Sequence, residues 1–445
     1  MKYETQKIAY KYFIVATVLF GLQVIFGLIT GAKYVWDFDP LINILPFNIS
    51  RAIHMNLLIV WLLTGFMGGA YYLVPEEAET EIYSTGLANL QLVLFALIGV
   101  TAVTGYIFGW TWGMPFTEQP QALKIGIVVV AVIFLFNIFM TMMKTKKWTV
   151  IQGMLLGGLV MLAGLFFFGI PFMKNLSTQY YWWWWVIHLW VEGAWELVAG
   201  SIMAFVLLKL TGVRRQVVEK WLYVEAGLVL FTGIAGTGHH YYWIGTPGYW
   251  LWVGGIFSAL EPLPILFMVI DTLRDVRERK AEIENRIALY WAVGSAVLHF
   301  FGAGVWGFAH TLPQINKWTH GTQITASHGH FAFYGAYVML NLTMIYFALP
   351  KIKGVGYVNR KLSFGAFWLM NFFMILVALN LAIAGIVQVY LQRILGIDYL
   401  TAQGFMKLWY AVFWTSGVCF VSGVSLYIID FFSYPGRTAD EKAKA

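Results

Sequence analysis

Three short stretches set metal-ligating side chains at spacings a helix can use. In HLWVE, His188 and Glu192 stand four residues apart and share one face, with Glu196 one further turn along it. His239 and His240 are adjacent in GTGHHYYWIGTP, where glycines loosen the backbone at a helix end. His328 and His330 are two apart in ASHGHF, so on a helix they point about 200° from one another. They cannot share one metal, but each can reach a different one on its own side. Two haems flanking that helix fit this geometry, each with one imidazole as axial ligand. His54 is free to supply a second axial ligand to one of them, which leaves the other five-coordinate and open to substrate. Three imidazoles and one carboxylate, from His188, His239, His240 and Glu192, suit a non-haem iron better than copper, which favours imidazole or sulfur alone.

The elements that carry these groups must be membrane helices. The chain has 445 residues, of which 60% are hydrophobic and 11% charged, against roughly 25% charged in a soluble domain. So few charges could not cover a water-soluble fold of this size. Long apolar runs recur from end to end, which is the pattern of a multi-span helical protein. A β-barrel needs short alternating segments instead. One cysteine, Cys419, excludes an internal disulfide framework, a cysteine zinc site and an iron–sulfur cluster, and no CxxCH is present to attach a c-type haem.

We read an all-α membrane protein, a bundle of about twelve transmembrane helices, forming a single transmembrane catalytic domain over residues 1–445. The helices fall near 10–32, 52–74, 86–109, 121–143, 150–170, 181–210, 221–243, 249–273, 287–311, 322–349, 362–391 and 403–431. The first is read as a retained span rather than a signal peptide. His54, His188, His239, His240, His328 and His330 then lie at similar depth on one side. Any one buried histidine is commonly a satisfied core residue, but six at one depth in a costly environment point to a site. Of the 29 Lys and Arg, 22 fall on the side of the N-terminus, Lys146, Arg437, Lys442 and Lys444 among them. That places both termini in the cytoplasm and the metal centres toward the outer side. It also accounts for the net charge of +7 without nucleic acid. Trp182–Trp185 is read as an interfacial aromatic belt. His299, His310 and His320 are read as hydrogen-bonding residues with no metal role.

At this point the sequence resembles a known family, the catalytic subunits of cytochrome c-dependent nitric oxide reductases, a branch of the haem-copper oxidase superfamily. The match rests on PFNISRAIHMNLLIVWLL around His54, YYLVPEE from Tyr71 and YYWWWWVIHLWVEGAWELVAG around His188. It continues through GTGHHYYWIGTPGYWLW, FSALEPLP around Glu261, GAGVWGFAHTLP and HGTQITASHGHFAFYGAY around His328. These long strings of uncommon composition occur in order over most of the chain. The resemblance implies that His54 and His330 ligate a low-spin haem b and His328 a high-spin haem b. It gives His188, His239, His240 and Glu192 to the non-haem iron, and makes Glu196 and Glu261 the further carboxylates near the active site. Arg51, one turn before His54, is placed to pair with haem propionates. The family also has a calcium ion between the haems. Glu118 in GWTWGMPFTEQP is its candidate ligand here, and Pro115 stands where a second acid is expected.

The implied reaction joins two nitric oxide molecules with two electrons and two protons to give N2O and water. Nitric oxide is small and apolar and can arrive through the lipid bilayer. With no c-type haem in this chain, electrons must come from a membrane-anchored cytochrome c subunit. A quinol-using relative would carry a fused N-terminal extension, and only a short stretch precedes the first span here. The expected location is the bacterial cytoplasmic (inner) membrane. An oxygen reductase of the same superfamily commonly has a tyrosine four residues after the metal-site histidine, where this chain has Glu192. A proton-coupled transporter is the rival outside redox chemistry, and it lacks paired half-helices or an internal repeat.

Overall fold

The computed structural model describes residues 1–36, 44–112, 114–145 and 147–436. Lys146, Arg437, Lys442 and Lys444, four of the cations counted above, lie outside the described residues. No strand occurs among the described residues. Twelve long rods run α1 Glu4–Val35, α2 Phe47–Ala78, α3 Thr85–Ile107, α4 Gln121–Met142, α5 Val150–Phe168, α6 Leu176–Thr211, α7 Arg215–Gly236, α8 Gly248–Arg279, α9 Arg286–Thr311, α10 Gln323–Lys353, α11 Lys361–Ile394 and α12 Lys407–Phe432. Eleven of them are long and apolar enough to cross a membrane. The exception is α7, which carries Glu219, Lys220 and Glu225 within its length. Most rods extend beyond the spans read from sequence, because polar and charged turns at their ends continue the same backbone hydrogen bonding past the apolar stretch.

Each rod packs against the next in sequence, and α1 closes back on α12. Three rods, α2, α6 and α10, touch one another across the centre. They are also the most enclosed, with 78%, 89% and 89% of their apolar windows buried, against 28% for α3 and α12. A helix apolar on every side has no solvent face and settles inside. The outer rods instead present Leu97, Val100, Val132 and Phe136 outward, as a bilayer requires. The three central rods therefore hold what they carry at fixed positions away from lipid, and they carry His54, His188, Glu192, His328 and His330.

Local starts are set by side chains. Asn175 caps α6 by accepting from Thr178 N at 3.0 Å, and Thr322 caps α10 by accepting from Ile324 N at 3.3 Å. Inside the rods the backbone widens to π-helical turns at Trp190–Ala194 in α6, Phe300–Gly307 in α9 and Tyr334–Val338 in α10. Such turns carry one extra residue and often mark functional sites. A 3-10 turn, Thr237–His240, follows α7. The sequence reading gave the glycines here a loosening role; at Gly238 the structure shows a close approach. A side chain there would overlap the carbonyl of Trp250, so glycine lets the turn seat directly on α8.

Candidate metal centre

His188 is wholly buried on α6, and Glu192 lies one turn on, within the wide turn of the same rod. The 3-10 turn after α7 brings His239 and His240 against them. One ligand atom from each of the four lies within 4.8 Å of every other. Glu192 stands among the three rings: its Oε1 is 3.2 Å from His240 Nε2, and its Oε2 is 3.4 Å from His188 Nδ1 and 3.7 Å from His239 Nε2. Both ring nitrogens of His188 and the Nδ1 of His239 are buried without a hydrogen-bond partner. Buried polar atoms left unpaired are expensive. Three imidazoles around one carboxylate, with nitrogens to spare, can be satisfied together by one cation.

The two histidines of α10 diverge as their spacing requires. His330 turns toward His54 on α2, the ring centroids 6.3 Å apart and the planes 27° from parallel. A metal held between two imidazoles at nitrogen–metal distances of about 2 Å leaves centroids about 6 Å apart. His328 turns to the other side, toward α9. In all three rings Nδ1 donates to a backbone carbonyl: His54 to Gln23 at 2.9 Å, His330 to Ala326 at 2.8 Å and His328 to Gly302 at 3.0 Å. A carbonyl on Nδ1 fixes the tautomer and leaves Nε2 as the ligand atom. The amide of Gln23 also lies along the His54 ring. Two glycines make room for these rings. A Cβ at Gly27 would fall 2.7 Å from His54 Cε1, and one at Gly307 would fall 2.8 Å from His328 Cε1. The residues present thus fit a pair of haems and a metal ion.

Glu196 does not join the four-residue cluster, although sequence spacing put it on the same face. The wide turn between it and Glu192 shifts the register, and Glu196 Oε1 instead lies 3.5 Å from His299 Nε2 on α9. Glu261 sits in a non-helical turn that interrupts α8 between Ser258 and Leu263. It is buried, and it accepts from Thr232 Oγ1 at 3.0 Å and Ser258 Oγ at 3.4 Å. The tryptophan run is more than a surface belt: Trp184 stacks on His240 with centroids 4.4 Å apart and planes 11° from parallel. His310 is hydrogen-bonded to Thr319 Oγ1 at 3.0 Å, with its ring 6.2 Å from that of His328. His320 lies beside Trp243.

Arg51 lies one turn before His54 and acts electrostatically on Glu118. Glu118 is buried and accepts from Asn56 Nδ2 at 2.9 Å. Burial pushes its carboxyl up to about 7, and the Asn56 hydrogen bond only partly offsets this. The surroundings do not fit calcium, which takes 6–8 oxygen ligands. Among the described residues no group of three or more acidic or histidine side chains gathers here, and the buried Lys124 ammonium acts on the same carboxyl.

Two residues of this region escaped the sequence reading. Glu225 is a lone acid in the apolar stretch YVEAGLVLF, which is itself a signal for a buried functional group. Tyr337 donates to the Val191 carbonyl at 2.7 Å inside the wide turn of α6, and nothing in its sequence neighbourhood announces this.

Comparison with known proteins identifies the family. The family described as cytochrome C and quinol oxidase polypeptide I matches residues 7–422. The B subunit of nitric oxide reductase from Stutzerimonas stutzeri is 47% identical, over 97% of this chain and 95% of that protein. Cytochrome c oxidase subunit 1 of Rhodobacter capsulatus is 23% identical, over 82% of this chain and 70% of that protein. A haem-copper terminal oxidase solved by cryo-electron microscopy superposes with a TM-score of 0.76 at 14% identity, covering 98% of this chain and 85% of the other. The chain therefore belongs to the cytochrome c and quinol oxidase polypeptide I family of haem- and metal-bearing membrane oxidoreductases, and within it to the group of nitric oxide reductase B subunits.

Proposed function

We propose that this chain reduces two nitric oxide molecules to N2O and water. In this reading His54 and His330 hold a low-spin haem b, and His328 holds a high-spin haem b. His188, His239, His240 and Glu192 hold a non-haem iron. When bound, these groups supply the electrons and the redox-active metal at which nitric oxide is reduced. The observation that carries the reading is Glu192 among three imidazoles, in the position where an oxygen reductase of the superfamily commonly has tyrosine. A hard anionic oxygen in the ligand set favours iron over copper.

The chain's own residues then have separate tasks. Glu192 places a negative charge beside the metal. Glu261, held by the hydroxyls of Thr232 and Ser258, and Glu196, set against His299, stand behind it as groups able to carry the two protons consumed in each turnover. The substrate needs no polar path. An apolar cavity of about 80 Å³ between α2, α4, α5 and α6, walled by Ile59, Phe66, Val130, Trp190 and Val198, gives a small apolar molecule room beside the rod that carries Glu192.

The chain lacks a c-type haem motif, so a membrane-anchored cytochrome c subunit delivers the electrons. Both termini face the cytoplasm of a bacterial inner membrane, and the metal centres face outward. Calcium is not part of this reading. The test is to purify the complex, count haem, iron and copper, and follow nitric oxide loss against N2O gain. Two haems and one further iron without copper, with N2O formed, support the proposal. Copper at the site, or oxygen reduction without N2O, overturns it.

A further inference from the structure

Glu225 lies midway along α7, wholly buried, and neither carboxyl oxygen has a hydrogen-bond partner. Its carboxyl occupies a notch in α6 where Gly200 stands, and a Cβ at that position would overlap both oxygens. Gly200 is one turn from Glu196 on the same face of α6, and Glu196 is the group that acts electrostatically on Glu225. Glu196 is itself buried, with one oxygen near His299 and the other unpartnered. Tyr337 is within electrostatic reach of Glu192, Glu196, Glu261 and Glu225 alike. The seat at Gly200 places Glu225 nearest Glu196 along α6.

Toward the other end of α7 the line stops. Glu219 is paired with Arg215, and Lys220 with Asp271. An ionised carboxylate with neither donor nor cation beside it is strongly disfavoured, so the notch accepts the neutral acid. A neutral acid seated at Gly200, one turn along α6 from Glu196 with its unpartnered Oε2, is a held proton beside an acceptor.

We infer that Glu225 is a proton store behind Glu196. In the transfer the O–H bond of Glu225 breaks and an O–H bond to a Glu196 oxygen forms. The negative charge passes from Glu196 to Glu225 only transiently, since the notch disfavours the ionised form, and the next proton to arrive restores the neutral Glu225. Glu225 touches neither substrate nor metal and acts through Glu196. The inference rests on the nitric oxide reductase reading for its purpose but not for its detection.

The experiment compares the unaltered complex with E225Q, which keeps the shape without the acid, and E225D, which restores the acid. Reduced-minus-oxidised infrared spectra should contain a carboxylic C=O band that shifts in D2O, vanishes in E225Q and returns at a moved position in E225D. Both haem spectra should stay unchanged. Proton-coupled nitric oxide turnover should slow by about 10- to 10²-fold in E225Q, near the low end for a positioned proton-transfer group, and recover in E225D. An unchanged infrared difference spectrum in E225Q overturns the store, as does loss of the band with turnover intact. If E225Q fails to assemble, E225D decides: a band at the same position in the unaltered complex and in E225D overturns the store, and a moved band supports it. A parent complex that turns over no nitric oxide defeats the functional reading alone, and the infrared comparison still decides Glu225.

Discussion

The imidazoles of His54 and His330 face one another from α2 and α10 with ring centroids 6.3 Å apart. Each is pinned from behind, since Nδ1 donates to a carbonyl of α1 in one case and of its own helix in the other. Neither ring can swing away without losing that bond, so removal of one leaves the other unable to compensate. H54A and H330A should each lower the haem count from two to one per complex. The low-spin optical signature should go while the high-spin one remains. A count of two in either variant would take that histidine out of the haem site.

Glu192 is the single anion among His188, His239 and His240, and those rings would otherwise meet a metal as three neutral ligands. E192A should lose the non-haem iron and cut nitric oxide turnover by more than about 10²-fold, beyond the 10- to 100-fold cost of an outer partner. The low-spin haem spectrum should not move. Iron analysis beside optical spectra checks both halves.

Gly307 is placed so that a methyl group would reach within 2.8 Å of His328 Cε1, and that ring is tied by Nδ1 to Gly302 in the same wide turn of α9. The imidazole has nowhere to retreat. G307A should alter the high-spin haem spectrum and its carbon monoxide complex and cost about 1–3 kcal/mol of stability, the usual range for overpacking. G153A, inside α5 at a position with nothing within 4 Å, is the control and should leave the spectrum unchanged without loss of stability.

Much of this is legible in the sequence because a histidine or glutamate in an apolar stretch stands out, and because the 3.6-residue turn fixes where two neighbours point. His328 and His330 have to diverge, and they do. Eleven of the twelve rods follow from hydropathy; α7, read as a twelfth span over 221–243, carries Glu219, Lys220 and Glu225, falls short of a membrane span and ends at Gly236. What sequence spacing cannot show is where a helix departs from 3.6 residues per turn. The wide turn at Trp190–Ala194 has no composition of its own, and it is what sends Glu196 to His299 rather than into the cluster. Gly238 reads as a flexible point, because close approach to Trp250 depends on a second helix that the local sequence does not mention. The stacking of Trp184 on His240 is hidden in the same way, by a partner on another element.

Glu118 offers a test by pH. Burial pushes its carboxyl from the ordinary 4.5 up to about 7 in the folded chain. The folded state therefore binds a proton more readily than the unfolded state between those values. The stabilising contribution is fully present below about 4.5, declines as pH rises, and is lost once pH passes about 7. E118Q keeps a neutral side chain of similar shape at every pH and removes this dependence. The melting temperature of the unaltered complex minus that of E118Q should fall steadily between about pH 5 and pH 8, with E118Q the more stable at the upper end. Asn56 donates to this carboxyl at 2.9 Å, and N56A removes the contact that favours the charged form, so it should extend the decline to higher pH. Parallel melting curves for parent and E118Q across that range would show that the Glu118 carboxyl is not held above its ordinary value in the complex, and would remove burial as its controlling influence.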